Sequence, residues 1–294
     1  MKILMIGHGM VGHKFIESVL EQAGDDIELT ILAEEPHLAY DRVHLTEYFS
    51  GKSVKDLSLC RSDFADAYGI DLRLNTKAVE IDQLHKTVTT SQGDVLSFDK
   101  LILATGSYAF VPPIPGNDRQ NCFVYRTIED LDAIRAASLN AKTGVVIGGG
   151  LLGLEAAKAL RDLNLETHVV EFAPRLMAVQ IDDLGGRVLR SKIEDLGVKV
   201  HTQKATSSIE DGDSTQHVMK FGDGSVLETD IILFSAGIRP RDELARQSGL
   251  LIGERGGIII NDYCQTSHPD IYAIGECALW DNKIYGLVAP GYDM

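Results

Sequence analysis

The stretch "VVIGGGLLGLEAAKAL" (residues 145–160) joins a β-branched run to a helical pattern through a cluster of glycines, and "ILMIGHGMVGHKFIESVL" near the start does the same. Gly7-x-Gly9-x-x-Gly12 is followed by Glu34 after "IELTILA" and by a glycine turn at "LILATGS" (Gly106). Gly148-x-Gly150-x-x-Gly153 is followed by Glu171 after "THVV" and by "IILFSAGI" (Gly237). Glycine to acid to glycine, the intervals are 27 and 72 residues in the first copy and 23 and 66 in the second, so one architecture is written twice. Each copy also carries a run of short strand-like segments between its acid and its last glycine, with "DG" at 223–224 as a hairpin turn.

In a GxGxxG turn the first glycine makes the tight turn, the second lets the backbone approach a pyrophosphate, and the third lets helix and strand pack closely. The pyrophosphate then lies at the helix N-terminus, where free N–H groups and the dipole favour negative charge. An acid some 20 residues on accepts ribose hydroxyls. A single such turn also arises for packing alone. Two, each in a strand–turn–helix context with an acid behind it, predict that two dinucleotides are held together, and FAD with NAD(P) is the pair whose natural use is hydride transfer.

Alternating strand-like and helix-like runs imply βαβ units and parallel sheets, hence an α/β fold. The 294 residues allow two domains, and 44% hydrophobic with 24% charged residues is an ordinary globular balance. A net charge of −15 without a basic run argues against nucleic acid and against an anionic membrane surface. No apolar run reaches the roughly 20 residues of a bilayer crossing, and the start has no signal-peptide pattern, so the expected location is the cytoplasm. Cys60, Cys122, Cys264 and Cys277 lie far apart, with no CxxC and no Cys/His pair at metal spacing, so no metal site and no disulfide framework are expected. "VPPIPGNDRQN" suits a linker, and Thr127 with Asp130 has the spacing of a capping box opening a helix at "TIEDLDAIRAA".

The chain resembles the pyridine nucleotide-disulfide oxidoreductase-like flavoproteins, and among them the N-terminal FAD/NAD region of NADH-dependent nitrite reductase large subunits. The matching stretches include "EEPHLAYDRVHLTEYF", "LILATGSYAFVPPIPG", "CFVYRTIEDLDAI", "THVVEFAPRLM", "FSAGIRPRDELA" and "INDYCQTSHPDIYAIGECALW". The resemblance implies two Rossmann-like, three-layer ββα domains, with the NAD domain (119–244) inserted into a discontinuous FAD domain (1–118 and 245–294). It implies FAD contacts at Gly7, Gly9, Met10, Val11, Gly12, Glu34, Glu35, Arg42, Val79, Ala104, Thr105, Gly106 and Glu276, the last standing where the wider family usually has Asp. NAD contacts are expected at Gly148, Gly150, Leu151, Leu152, Gly153, Glu155, Glu171 and Gly237. For Glu155 the resemblance places it near the nicotinamide, while a favourable charge at a helix N-terminus is the other reading.

The flavin would carry the chemistry, so no side chain is assigned a catalytic role, and none of the histidines (His8, His44 or His168 among them) has a partner acid at motif spacing. Glu171 favours NADH by repelling a 2′-phosphate, whereas Arg175 could receive one, so NADPH stays open. By resemblance the electrons go on to an Fe-S cluster and siroheme C-terminal to this region, for reduction of nitrite to ammonia. The ending "VAPGYDM" reads as a shortened chain that holds FAD weakly or in part. A stand-alone NADH-dependent rubredoxin or ferredoxin reductase, an NADH oxidase, a catalytically silent fragment and a homodimer are left open. Disulfide reductases are excluded, because no CxxxxC pair lies near the first helix.

Overall fold

The computed structural model describes residues 1–22 and 27–294. They divide into two units: Met1–Asp41 with Lys55–Tyr108 and Ile238–Met294, and Arg42–Val54 with Ala109–Gly237. The expected boundaries at 118/119 and 244/245 therefore fall inside the second and first units respectively, and residues 42–54 go with the second unit although they precede most of the first.

The first unit opens with β1 (Lys2–Ile6), α1 (Met10–Gln22) and β2 (Glu28–Leu32). Two short helices, α2 (Val54–Leu57) and α3 (Phe64–Tyr68), precede β3 (Asp71–Arg73). The antiparallel β4 (Ala78–Asp82), β5 (Thr87–Thr90) and β6 (Val95–Ser97) follow, and β7 (Lys100–Leu103) returns to the first sheet. That sheet is parallel, in the order Ile271–Ala273, β7, β1, β2, β3. Strand periodicity sorts its side chains. Ile3, Met5, Ile31 and Ile102 join Ile16 of α1 and Phe64 of α3 on one face. Leu4, Ile6, Leu32 and Leu101 join Val88 and Phe98 of the antiparallel layer on the other. Burial on both faces explains why "KILMI" and "KLIL" are apolar almost without interruption. The layers are helix, parallel sheet and antiparallel sheet.

The second unit repeats the plan. After β8 (Ser107–Ala109), which crosses the unit boundary, come β9 (Cys122–Val124), α4 (Ile128–Ser138), β10 (Thr143–Ile147), α5 (Leu151–Asp162) and β11 (Glu166–Val170). Then follow α6 (Asp183–Asp195), β12 (Val198–His201), the antiparallel β13 (Thr206–Asp211), β14 (His217–Phe221) and β15 (Val226–Thr229), and β16 (Ile231–Phe234). The parallel order is β12, β11, β10, β16, β9. Val145, Ile147, Val170, Ile232 and Phe234 pack on Ile209, Met219 and Phe221 of the antiparallel layer. The opposite face meets α5 so closely that a Cβ on Gly144 would lie 2.9 Å from Leu160 Cδ1. The Asp223-Gly224 turn joins β14 to β15, with Gly224 at φ +82.

Thr127 and Asp130 close the expected capping box: Asp130 N–H donates to Thr127 Oγ1 (3.3 Å) and Thr127 N–H to Asp130 Oδ2 (2.8 Å). The proline-rich stretch is not a free linker. Pro115 O accepts from Ile209 N–H (2.9 Å), and a Cβ on Gly116 would lie 2.1 Å from Ile209 O. Composition marks this segment as irregular, but close backbone packing makes it an outer part of the second unit.

Candidate functional site

Each glycine loop divides its labour among its three glycines. Gly7 sits at φ +107, and a Cβ there would lie 2.2 Å from Ala104 O, the residue just past β7. Gly148 sits at φ +121, with the same 2.2 Å approach to Ser235 O just past β16. A Cβ on Gly12 would lie 2.6 Å from Gly7 O, and on Gly153 2.0 Å from Gly148 O. The first and third glycines are thus required by the chain's own packing. The second is different: among the described residues a Cβ on Gly9 or Gly150 would meet nothing within 4 Å. Side chains are sterically allowed there, and the glycine leaves bare backbone facing open space.

α1 and α5 begin immediately after that space, with no acid in the first turn of either. Gly150, the N-cap of α5, supplies no side-chain cap, whereas in the same unit Thr127 caps α4 and Asp182 caps α6 through Gly185 N–H (2.8 Å). First-turn N–H groups without a cap or an acid form an anion cradle. The two loops therefore fit a pyrophosphate each.

Strand register aligns the units residue by residue. Gly7 N–H donates to Leu32 O, and Gly148 N–H donates to Val170 O, each at 2.9 Å. The position following, Ala33 in the first unit, is Glu171 in the second; Glu34 lies one residue further on. Glu171 is fixed by two backbone donors, Gly149 N–H to Oε2 (2.5 Å) and Ala173 N–H to Oε1 (2.6 Å). Glu34 is held by side chains instead: Arg241 Nη1 to Oε2 (2.7 Å) and Lys77 Nζ to Oε1 (3.1 Å). Arg241 is 207 residues away in the chain, so nothing local signals that pairing.

Among the other expected contacts, Met10 and Val11 open α1, and Leu151 and Leu152 open α5 with exposed side chains. Gly106 (φ +68) and Gly237 (φ +108) close equivalent turns after β7 and β16, and among the described residues a Cβ on either would meet nothing within 4 Å. Thr105 Oγ1 donates to Arg241 O (2.6 Å), and Arg241 N–H donates to Gly106 O (2.9 Å), which ties this turn to the residues after the second unit. Glu276, in the 3₁₀ turn Gly275–Cys277, accepts from Ser107 Oγ (2.7 Å). Glu35 accepts from Tyr40 Oη (2.7 Å). Val79 is on β4 of the antiparallel layer with an exposed side chain, apart from the glycine loop's own strands. Arg42 falls in the second unit and donates through Nη1 to Arg126 O (2.9 Å). On α5, burial pushes the Glu155 carboxyl above its ordinary range, with His44 pulling the other way. The six-residue helix Val288–Asp293 packs on α1, where a Cβ on Gly291 would lie 2.6 Å from Val11 Cγ2.

Two helix-backed, glycine-led nucleotide cradles on repeated ββα layers define a two-dinucleotide oxidoreductase. The family model described as pyridine nucleotide-disulphide oxidoreductase matches residues 1–292, and the chain belongs to that family. It is 55% identical over 295 residues to the nitrite reductase (NADH) large subunit of Escherichia coli (strain K12), covering all of this chain and 35% of that protein. It is 57% identical over 293 residues to the nitrite reductase [NAD(P)H] large subunit of Klebsiella oxytoca, covering 99% of this chain and 30% of that one. The chain thus spans about a third of the length of these relatives. Among solved structures, a NAD-dependent persulfide reductase from A. fulgidus superposes with a TM-score of 0.91 at 28% identity, over all of this chain and 57% of that one. Among the described residues no helix is long and apolar enough to cross a membrane.

Proposed function

We propose that the chain is the electron-entry flavoprotein part of a nitrite reductase of the NADH-dependent kind, taking hydride from NADH into FAD. The observation that carries this reading is the pair of open middle glycines, Gly9 and Gly150, each set between two glycines that the fold itself requires. Identity above 50% with two nitrite reductase large subunits supports the assignment over a rubredoxin reductase or an oxidase. FAD would lie on the first unit, held by the Gly7–Gly12 loop, Ala104, Thr105, Gly106 and Glu276. NADH would lie on the second, held by Gly148, Gly150, Gly153, Glu171 and Gly237. When bound, the flavin accepts two electrons as hydride and can release them singly. In the longer relatives the receivers would be an Fe-S cluster and siroheme.

The choice of NADH rests on what holds the charges near Glu171. Two backbone N–H groups fix that carboxylate at the strand end, where it accepts ribose hydroxyls and opposes a 2′-phosphate. Arg175 is already committed: Nη1 to Asp183 Oδ1 (2.6 Å), Nε to Ile181 O (3.0 Å) and Nη2 to Ala178 O (3.2 Å). A guanidinium so engaged is a poor phosphate receiver. The test is anaerobic mixing of the FAD-loaded chain with NADH or NADPH, followed by bleaching of the flavin. Rapid bleaching by NADH, slower bleaching by NADPH and turnover with an artificial dye are expected; a chain that binds no flavin, or whose flavin NADH leaves oxidised, overturns the reading.

A further inference from the structure

The first glycine loop differs from the second in carrying a histidine between its first two glycines. His8 is 8% exposed, and neither Nδ1 nor Nε2 makes a hydrogen bond among the described residues. Buried polar atoms in folded proteins are nearly always partnered, so an imidazole with neither nitrogen bonded to the protein calls for a partner from outside the chain. His13, on the first turns of α1, is 4% exposed, and its Nδ1 likewise makes no hydrogen bond. The two rings meet edge to face at 5.6 Å between centroids, and Phe64 of α3 closes the far side of His13 at 5.0 Å. Half-buried Cys60, in the segment leading to α3, completes the group: one donor atom from each of His8, His13 and Cys60 lies within 4.8 Å of the others.

We infer that His8, His13 and Cys60 form a binding site for a borderline-soft divalent cation of the zinc class, on the side chains of the loop that cradles the first pyrophosphate. Two imidazoles and one thiolate are a donor set such ions prefer, leaving one position for water. Bond lengths of about 2.0–2.3 Å place tetrahedral donors about 3.3–3.8 Å apart, so binding draws the three side chains in by at most about 1.5 Å. Burial lowers the pKa of His8, to about 4, with His13 contributing, and burial lowers that of His13 too. It is the neutral imidazole, the form that burial favours, whose lone pair a cation takes. Burial raises the Cys60 thiol, so the incoming cation displaces one proton from Sγ to solvent and no electron changes hands. Glu17, with Oε1 3.7 Å from His13 Nε2, stands where a carboxylate steadies a ligating imidazole.

The chain has no Cys/His pair at a recognisable metal spacing because the three ligands come from a loop, a helix and a segment some 50 residues on. The site is independent of the assignment of nitrite reductase function, since it needs neither flavin nor NADH. The test is titration of the full flavin-free chain with Co²⁺, with Zn²⁺ in competition. One Co²⁺ per chain with a thiolate-to-cobalt charge-transfer band is expected, displaced by Zn²⁺, with a rise in melting temperature. Cys60→Ser should abolish the band and weaken binding tenfold or more, and His8→Asn should weaken binding similarly while far-UV circular dichroism stays unchanged. Absence of cobalt uptake by the parent chain, or a band that survives Cys60→Ser and so arises from another cysteine, overturns the inference.

Discussion

The two glycine loops are built alike and filled differently. Both place the first glycine at positive φ against a carbonyl beyond the neighbouring strand, and both press the third glycine against the first. In the second loop the middle of the first pair is Gly149, where a Cβ would lie 2.7 Å from Leu176 Cδ2 and 3.0 Å from Glu171 Oε2. A side chain has no place there because Glu171 folds over the loop to accept Gly149 N–H. In the first loop the acid's position is taken by Ala33, and the loop carries His8 instead. The exchange of Glu171 and Gly149 for Ala33 and His8 is one packing change written at two positions. It separates what a dinucleotide turn must have from what each turn may vary.

The largest test removes what the loops share. Ala at Gly148 would be strained at φ +121 and driven into Ser235 O, so Gly148→Ala should cost roughly 3 kcal/mol or more of stability, read by urea unfolding. Gly7→Ala should do the same to the first unit, which holds the chain's single tryptophan, Trp280, as a fluorescence reporter. If either variant unfolds like the parent, the shared steric rule fails.

Next come the middle glycines, where stability and binding should part company. Gly9→Ala and Gly150→Ala should change stability by less than about 1 kcal/mol. They should weaken FAD and NADH binding respectively by tenfold or more, about 1.4 kcal/mol, in a flavin or NADH titration. Equal binding by the variants would mean that the open space is not where the coenzymes approach.

The capping residues sharpen the same contrast at intermediate size. Thr127→Ala should cost about 1 kcal/mol in thermal unfolding and leave NADH affinity unchanged, because α4 carries its own side-chain cap whereas α5 has none. A parallel loss of NADH affinity would show that the two helices are not separable in this way.

The acids give the smallest effects and the clearest asymmetry. Glu34→Gln removes one partner of two exposed ion pairs and should change stability by no more than about 0.5 kcal/mol. Glu171→Gln removes the charge and can accept from only one of the two backbone donors, Gly149 N–H and Ala173 N–H, so it should cost no more than about 1 kcal/mol of stability while narrowing the preference for NADH over NADPH several-fold in flavin reduction rates. Identical behaviour of the two variants would erase the distinction that strand register draws between them.

Much of this molecule is legible in its sequence. The two strand–glycine–helix turns, the antiparallel insert in each half and the capping box at Thr127 all rest on neighbours a few residues apart, so residue type and spacing suffice to define them. Spacing also points to an acid at the end of the following strand, and Glu171 directly follows β11. Glu34 is only partly legible: it is an acid near the right distance, but the ladder from Gly7 to Leu32 sets it one residue beyond the position that Glu171 holds. Distance along the chain is too coarse to register such a step, whereas hydrogen-bond pairing resolves it.

The sequence alone determined that two βαβ nucleotide folds are present and where their helices begin, because the positive φ of each first glycine and the press of each third glycine on the first involve only residues close in the chain. Tertiary structure decided the rest. It set the side of the division on which residues 42–54 and the proline-rich stretch fall, bound Arg175 to Asp183, and paired Glu34 with Arg241. It also gathered His8, His13 and Cys60 into one cluster. These contacts join groups that only folding brings close, and no pattern of neighbouring residues encodes a distance between chain-remote atoms.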